Sequence, residues 1–175
     1  MLSKILFALV LLLGLIGLLA SRKPDSFRVE RSGLVPAPPD AVFARVVTFP
    51  AWKEWSPWEE LDPNMQHTYG GLAGAVGSNF AWKGNGKAGA GKMTLTAVVP
   101  GKSATIQLDF EKPFEAHNEV VFTFTPEGDG TRVTWVMSGP SPFISKVFTL
   151  FFNMDRAIGA DFEKGLAKLA ATTKR

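Results

Sequence analysis

From Phe27 onward the chain alternates. Phe27, Val29, Arg31, Gly33 and Val35 fall on one side of an extended run, and Arg28, Glu30, Ser32 and Leu34 on the other; this predicts a first strand, closed by the prolines of "PAPP". Pro39 and Asp40 then open "AVFARVVTF", whose apolar spacing predicts a short helix from about Asp40 to Val47. The stretch "WKEWSPWEELDP" (52–63) predicts a second helical turn and puts three tryptophans into seven positions. After Pro63 the period returns to two. Strands are expected at about 65–70, 78–83, 89–99, 103–111, 115–126 and 131–138, with turn chemistry at Asn85-Gly86, Pro100-Gly101, Lys112-Pro113 and Asp129-Gly130. Connections this short make neighbouring strands antiparallel.

One face of that meander is apolar, carrying Met93 and Leu95, then Ile106, Leu108 and Phe110, then Val120, Phe122 and Phe124, then Val133, Trp135 and Met137. It needs a cover. Ser141 and Pro142 form a cap-then-proline helix start. Beyond them Phe143, Val147, Phe151, Met154, Ile158, Phe162, Leu166 and Leu169 keep helical spacing, so one long helix is expected to lie across the sheet. Gly165 interrupts the stripe where a missing side chain allows close approach.

The first 23 residues form a separate unit. Between Lys4 and Arg22 stand sixteen uncharged, mostly apolar positions (5–20) and Ser21, about 24 Å of helix for the sixteen, slightly under a bilayer's hydrocarbon thickness. A cleavable signal peptide is the competing reading. Ala20 suits one specificity position and Leu18 does not suit the other, which favours an uncleaved membrane anchor. Charges flank both ends, so orientation is weakly specified, with a lean towards an extracytoplasmic body. The domain proper is 24–175.

Charge and composition then narrow the chemistry. Lys4, Arg22 and Lys23 account for the net charge of +3, and from residue 24 onward acids and bases balance at sixteen each. No basic patch is left to neutralise phosphates, so no nucleic-acid partner is expected. The chain has no cysteine, which removes disulfides, thiolate nucleophiles and cysteine-held metals. Gly84 to Gly89 match the G-x-G-x-x-G spacing, but "GKMTLTAVV" continues from it as a strand rather than a helix, so a hairpin turn is expected and no dinucleotide. His117 shares its strand face with Glu115 and Glu119, away from the apolar side, which reads as a solvated surface rather than an acid–base or metal site. Asp155 and Asp161 flank the helical stripe on opposite sides and do not converge. No metal and no cofactor are expected.

The tryptophans have two readings of equal weight, as core between short helices and sheet or as a rigid aromatic rim at the mouth of a cavity. Insertion at a membrane interface is a third.

The order β-α-α-β6-α, with "WKEWSPWEELDP", "GNGKAGAGKMTLT", "GDGTRVTWVMSG" and "NMDRAIGADFEKGL", resembles the START-like, Bet v 1-like helix-grip superfamily, in particular the bacterial SRPBCC proteins of polyketide cyclase/dehydrase type. The resemblance covers about residues 27–172. It implies an α+β helix-grip fold in which a curved, antiparallel seven-stranded sheet wraps around a long C-terminal helix. It also implies a deep, mostly apolar cavity between the two for a lipid-, polyketide- or aromatic-like molecule.

The expected lining follows from the strand alternation and the helical stripe. Trp55, Trp58, Tyr69, Phe80 and Trp82 would form its aromatic end, and Met93, Leu95, Leu108, Phe110, Phe122, Trp135 and Met137 its sheet wall. Phe151, Met154 and Ile158 would form its helix wall. Side chains of this kind bind by burial and have little with which to move protons. The leading expectation is therefore a membrane-anchored binding protein for a hydrophobic small molecule, with no catalytic residue. Two alternatives stand beside it. One is a cyclase-, dehydratase- or hydrolase-like enzyme, for which Tyr69, Asp109, His117 or Asn118 would have to reach the cavity, contrary to the expected alternation. The other is a ligand-free interaction module docking on membrane or protein through "FISKVFTLFF" (143–152).

Overall fold

The structure is a computed structural model that describes residues 1–173. Helix α1 (Leu2–Ser21) leads into strand β1 (Ser26–Val35), helix α2 (Pro39–Val47) and the short helix α3 (Trp52–Trp55), followed by a 3₁₀ turn at Pro57–Leu61. Six strands follow: β2 (Gln66–Gly70), β3 (Asn79–Lys83), β4 (Ala90–Val99), β5 (Ser103–Lys112), β6 (Ala116–Glu127) and β7 (Gly130–Pro140). The chain ends in helices α4 (Phe143–Phe148) and α5 (Met154–Thr172). All seven strands form one antiparallel sheet in the order β1-β7-β6-β5-β4-β3-β2, so the first strand closes the sheet beside the last.

Alternation decides which side chains face the helices. The inner face carries Val29, Val35, Leu95, Ile106, Phe122, Val133 and Trp135, all buried, while Arg28, Glu30, His117 and Glu119 point outward. Arg31 also points inward, because α5 lies along β1 and offers it partners. Its guanidinium donates to the Asp155 carboxylate (3.1 and 3.2 Å) and to Glu163 (2.8 Å), and these bonds raise its pKa further. The pair of acids that flank the helical stripe thus divides, with Asp155 serving as an anchor for Arg31.

Gly165 behaves as the stripe requires. A Cβ there would come within 2.9 Å of Trp135 Cζ3 and 3.2 Å of Pro57 Cδ, so its absence lets α5 settle onto the aromatic core. The Gly84–Gly89 loop is a tight connection between β3 and β4. Asn85 Oδ1 accepts from the amides of Lys87 and Ala88 (2.8 and 3.1 Å), and Gly89 has φ +65° with no room for a side chain against the Lys112 carbonyl. No helix begins in these glycines, in keeping with a hairpin.

The expected single C-terminal helix is two. Thr149 Oγ1 donates back to the Lys146 carbonyl (2.9 Å) as α4 ends, and Asn153 Oδ1 accepts from the Arg156 amide (2.9 Å) as α5 begins. An N-cap of this kind starts a new helix wherever the preceding residue is free to leave helical geometry. Phe143 and Phe151, placed by periodicity on the core stripe, consequently lie outside the sheet's shadow and are exposed.

Candidate functional site

Strand register sorts the inner face into rows running across the sheet. The rows nearer α2 contain Trp135 beside Phe122 and Ala104, then Met137 beside Val120, Ile106 and Leu95. Two further rows lie towards the end from which α1 departs. The first runs Phe27, Gly139, Asn118, Leu108, Met93, Phe80, Tyr69. The second runs Ala116, Phe110, Gly91, Trp82, His67.

Aromatic rings fill the space between α5 and the central strands. Trp135 stacks on Phe162 of α5 with centroids 4.2 Å apart and planes 8° apart. Trp52 and Trp55 lie 4.5 Å apart, and Trp55 meets Phe122 and Trp135 edge to face at 6.3 and 5.6 Å. Trp58 presents an edge to Trp135 and to Phe162. Pro57 and Pro63 keep the segment from continuing as one helix, so successive indoles project from α3 and the 3₁₀ turn into a single block. Trp52 Nε1 donates to the Val46 carbonyl (2.8 Å), whereas the indole N–H groups of Trp55 and Trp135 have no hydrogen-bond acceptor. The edge-to-face contacts supply the π surfaces against which an indole edge can rest at small cost.

The two rows at the α1 end are packed differently. Trp82, Phe110, Phe27 and Ala116 are half-buried, and Leu108, Met93 and Met137 keep 7–9% of their surface, against 0–2% for Leu95, Ile106, Phe122 and Trp135. Gly91 makes the floor beneath Trp82: a Cβ there would strike the indole at 2.5 Å. Gly139 does the same for Asn118, whose amide oxygen lies 2.1 Å from where a Cβ would stand. From the helices, half-buried Met154 and Ile158 occupy the first turns of α5.

The fifteen lining residues expected from the sequence therefore divide three ways. Tyr69, Phe80, Trp82, Met93, Leu108 and Phe110 stand together in the two outer rows, with Met137 adjoining. Trp55, Leu95, Phe122 and Trp135 belong to the filled block, with Trp58 at its margin. Of the expected helix wall, Met154 and Ile158 are half-buried in the first turns of α5, whereas Phe151 stands 75% exposed between α4 and α5, because the helix is interrupted there.

Polar groups reach the inner face at two places. Asn118 shares the parity of Val120 and Phe122, the signal that puts its amide inside. His67 shares the parity of Tyr69 and stacks on both Tyr69 (6.2 Å, 14°) and Phe80 (5.4 Å, 25°). Its Nε2 lies 3.0 Å from Glu59 Oε2 without alignment for a hydrogen bond, a close contact between two largely covered groups. Burial, and secondarily the charge of Glu59, raise the pKa of Tyr69. Asn118 and Tyr69 lie four strands apart, about 19 Å along the sheet at about 4.8 Å per strand, so they do not meet at one reacting atom.

Asp109 and His117 sit on the opposite face. His117 Nδ1 donates to Asp109 Oδ1 (2.7 Å) and Gln107 Nε2 donates to the same oxygen (3.0 Å). Burial pushes the Asp109 carboxyl up, but these two hydrogen bonds outweigh it and hold the group below its ordinary value. Near them lies an open depression lined by Gln107, His117, Glu119, Ser138 and Arg28. Among the described residues no cluster of three or more His, Asp or Glu side chains is placed to hold a metal ion.

Comparisons with known proteins agree with this architecture. The family described as "Polyketide cyclase / dehydrase and lipid transport" matches residues 26–174. No curated protein matches the sequence. Among solved structures, a Chromobacterium violaceum protein shares 16% identity at a TM-score of 0.60, with 87% of this chain and 99% of that one covered. A Mesorhizobium loti protein shares 23% identity at 0.58, covering 83% and 98%. The major latex-like protein 151 of Panax ginseng shares 14% identity at 0.60, covering 87% and 100%. At these identities the likeness is one of fold.

Proposed function

We propose that this chain, which belongs to the polyketide cyclase / dehydrase and lipid transport family, binds a hydrophobic small molecule against the two inner rows at its anchored end. The supporting observation is the difference in packing along one apolar face. Trp135 and Phe122 are sealed together with Trp52, Trp55, Ala104 and Phe162, while Leu108, Phe110 and Trp82 keep free surface on the same face of the same sheet. A ligand laid across them gains roughly 25 cal/mol for each Å² of apolar surface removed from water, before the cost of association. The Asn118 amide at one end and the His67–Glu59 pair at the other would orient a molecule bearing one or two polar groups. This reading moves the site from the space under α5, where rings already touch, to the rows beside it.

The test is a substitution that fills the rows without disturbing the block. Leu108→Trp is expected to lower the affinity of the full chain for an apolar fluorescent probe such as N-phenylnaphthylamine roughly tenfold, a loss of about 1.4 kcal/mol. Its thermal midpoint should stay near that of the parent. Unchanged probe affinity in the folded variant would overturn the placement.

A further inference from the structure

α4 and the loop that follows it carry an unusual surface for a folded domain. Phe143, Ile144, Phe148, Phe151 and Phe152 are all exposed, Ile144 and Phe151 by about three-quarters of their area (74% and 75%), within ten consecutive residues. Contiguous apolar exposure on this scale marks an interaction surface. What covers it is indicated by its neighbour. α4 packs on α1, a 20-residue helix of mean hydropathy 2.6 that is long and apolar enough to cross a bilayer.

The contact fixes the depth of α4. Along α1 every side chain up to Leu15 is exposed, and only Ile16, Gly17 and Ala20 are covered, a stripe confined to the last turn and a half. At about 1.5 Å per residue, these positions lie within roughly 8 Å of the helix end at Ser21. A segment packed there stands level with the boundary between acyl chains and headgroups. Two polar ties hold the arrangement: Lys146 of α4, buried, is ion-paired with Asp25, and the Ser141 amide donates to the Asp25 carbonyl (2.7 Å). The only charged side chain of α4 is thereby turned away from the apolar surface. At the same end of the sheet, the β5–β6 connection raises Phe114, 81% exposed.

We propose that α4 and residues 149–152 are a second membrane contact, seated in the interfacial layer of the bilayer that α1 enters, with Phe114 as its outlying point. Arg22 and Lys23, between the span and the body, would stand at headgroup level. The domain would then be held by two attachments rather than swinging on the short segment 22–25, and the half-open rows of the inner face would be turned towards lipid.

The absence of cysteine makes the test clean. Single variants Phe148→Cys, Phe151→Cys, Phe114→Cys and Val76→Cys of the full chain are labelled with an environment-sensitive nitrobenzoxadiazole group. Each is reconstituted into phosphatidylcholine–phosphatidylglycerol vesicles and recovered by flotation. Val76, exposed in the β2–β3 connection at the opposite end of the sheet, serves as reference. Labels at 148 and 151 are expected to be quenched several-fold more by lipid-borne doxyl groups, and several-fold less by aqueous iodide, than the label at 76. Label 114 should fall between them. Equal iodide quenching at 148 and 76 would overturn the proposal, as would failure of the chain to float. Protection of 148 from both quenchers, with self-quenching that rises with protein density, would place a second copy of the chain there and also overturn it.

Discussion

At the α2 end of the concave face, Trp135 and Phe122 are closed over by Trp52, Trp55 and Phe162; at the α1 end, Leu108, Phe110 and Trp82 lie on the same face of the same sheet and keep contact with the outside. The two ends share strand alternation and one continuous sheet, so neither of these by itself explains the contrast. The difference comes from what is delivered to each end from elsewhere in the chain. Three indoles on a proline-broken segment reach the α2 end together, and Gly165 lets α5 descend onto them. The α1 end receives only the first turns of α5, because the helix breaks before Met154. A greasy strand face thus becomes core or binding surface according to its cover.

The comparison can be broken most forcefully at Trp135. Trp135→Ala removes a ring stacked on Phe162 and touched edge-on by Trp55 and Trp58, and a loss of about 3–5 kcal/mol is expected in urea denaturation of the full chain in micelles. A loss below about 1 kcal/mol would mean that the filled block is not the core. Gly165→Ala comes next. Forcing a methyl against Trp135 and Pro57 costs about 1–3 kcal/mol, against about 1 kcal/mol regained from helix propensity, so net destabilisation is expected; a more stable variant would show slack in the block. Phe110→Ala, in the half-open rows, should cost less than Trp135→Ala, about 1–2 kcal/mol, because its ring is only partly withdrawn from water. Equal losses at the two positions would erase the contrast.

The smallest effect concerns the clamp that holds α5 over the block. Glu60 is hydrogen-bonded by Lys164 and Lys168, and these bonds lower its carboxyl from the ordinary 4.5 to about 2. A carboxyl depressed in the folded state contributes its full stability above about pH 4.5 and loses it as pH falls towards about 2. Since the group is solvent-exposed, the change is slight. Glu60→Gln should flatten that part of the acid limb of the stability curve, and an identical limb in parent and variant would dismiss the clamp.

Much of this was legible in the residues. The strand expected at 103–111 is found at Ser103–Lys112, and that at 78–83 at Asn79–Lys83, because a period of two over a half-buried run admits little else. The helix-grip architecture was implied by the resemblance that the order of elements and the quoted motifs bear to that superfamily. The break before α5 was not visible, since the apolar stripe runs on through Val147, Phe151 and Met154, and Asn153 is a local cue weaker than that periodicity. Nor could the sequence apportion the tryptophans. Whether Trp55 is core depends on Phe122 and Trp135, some seventy to eighty positions away, and on how far Gly165 lets a helix approach. His67 and Asn118 carried their inward parity in plain view, but alternation alone does not say which inward polar groups will remain reachable.

The most direct test of the open-row site uses the five methionines of the chain. With ¹³C-methyl methionine in the full chain held in lipid nanodiscs, an apolar probe is titrated and the methyl resonances followed. Met93 and Met137, which border the half-open rows, are expected to shift and saturate together, with Met154 following more weakly. Saturation with the probe that leaves Met93 and Met137 unmoved would contradict a binding site on this face.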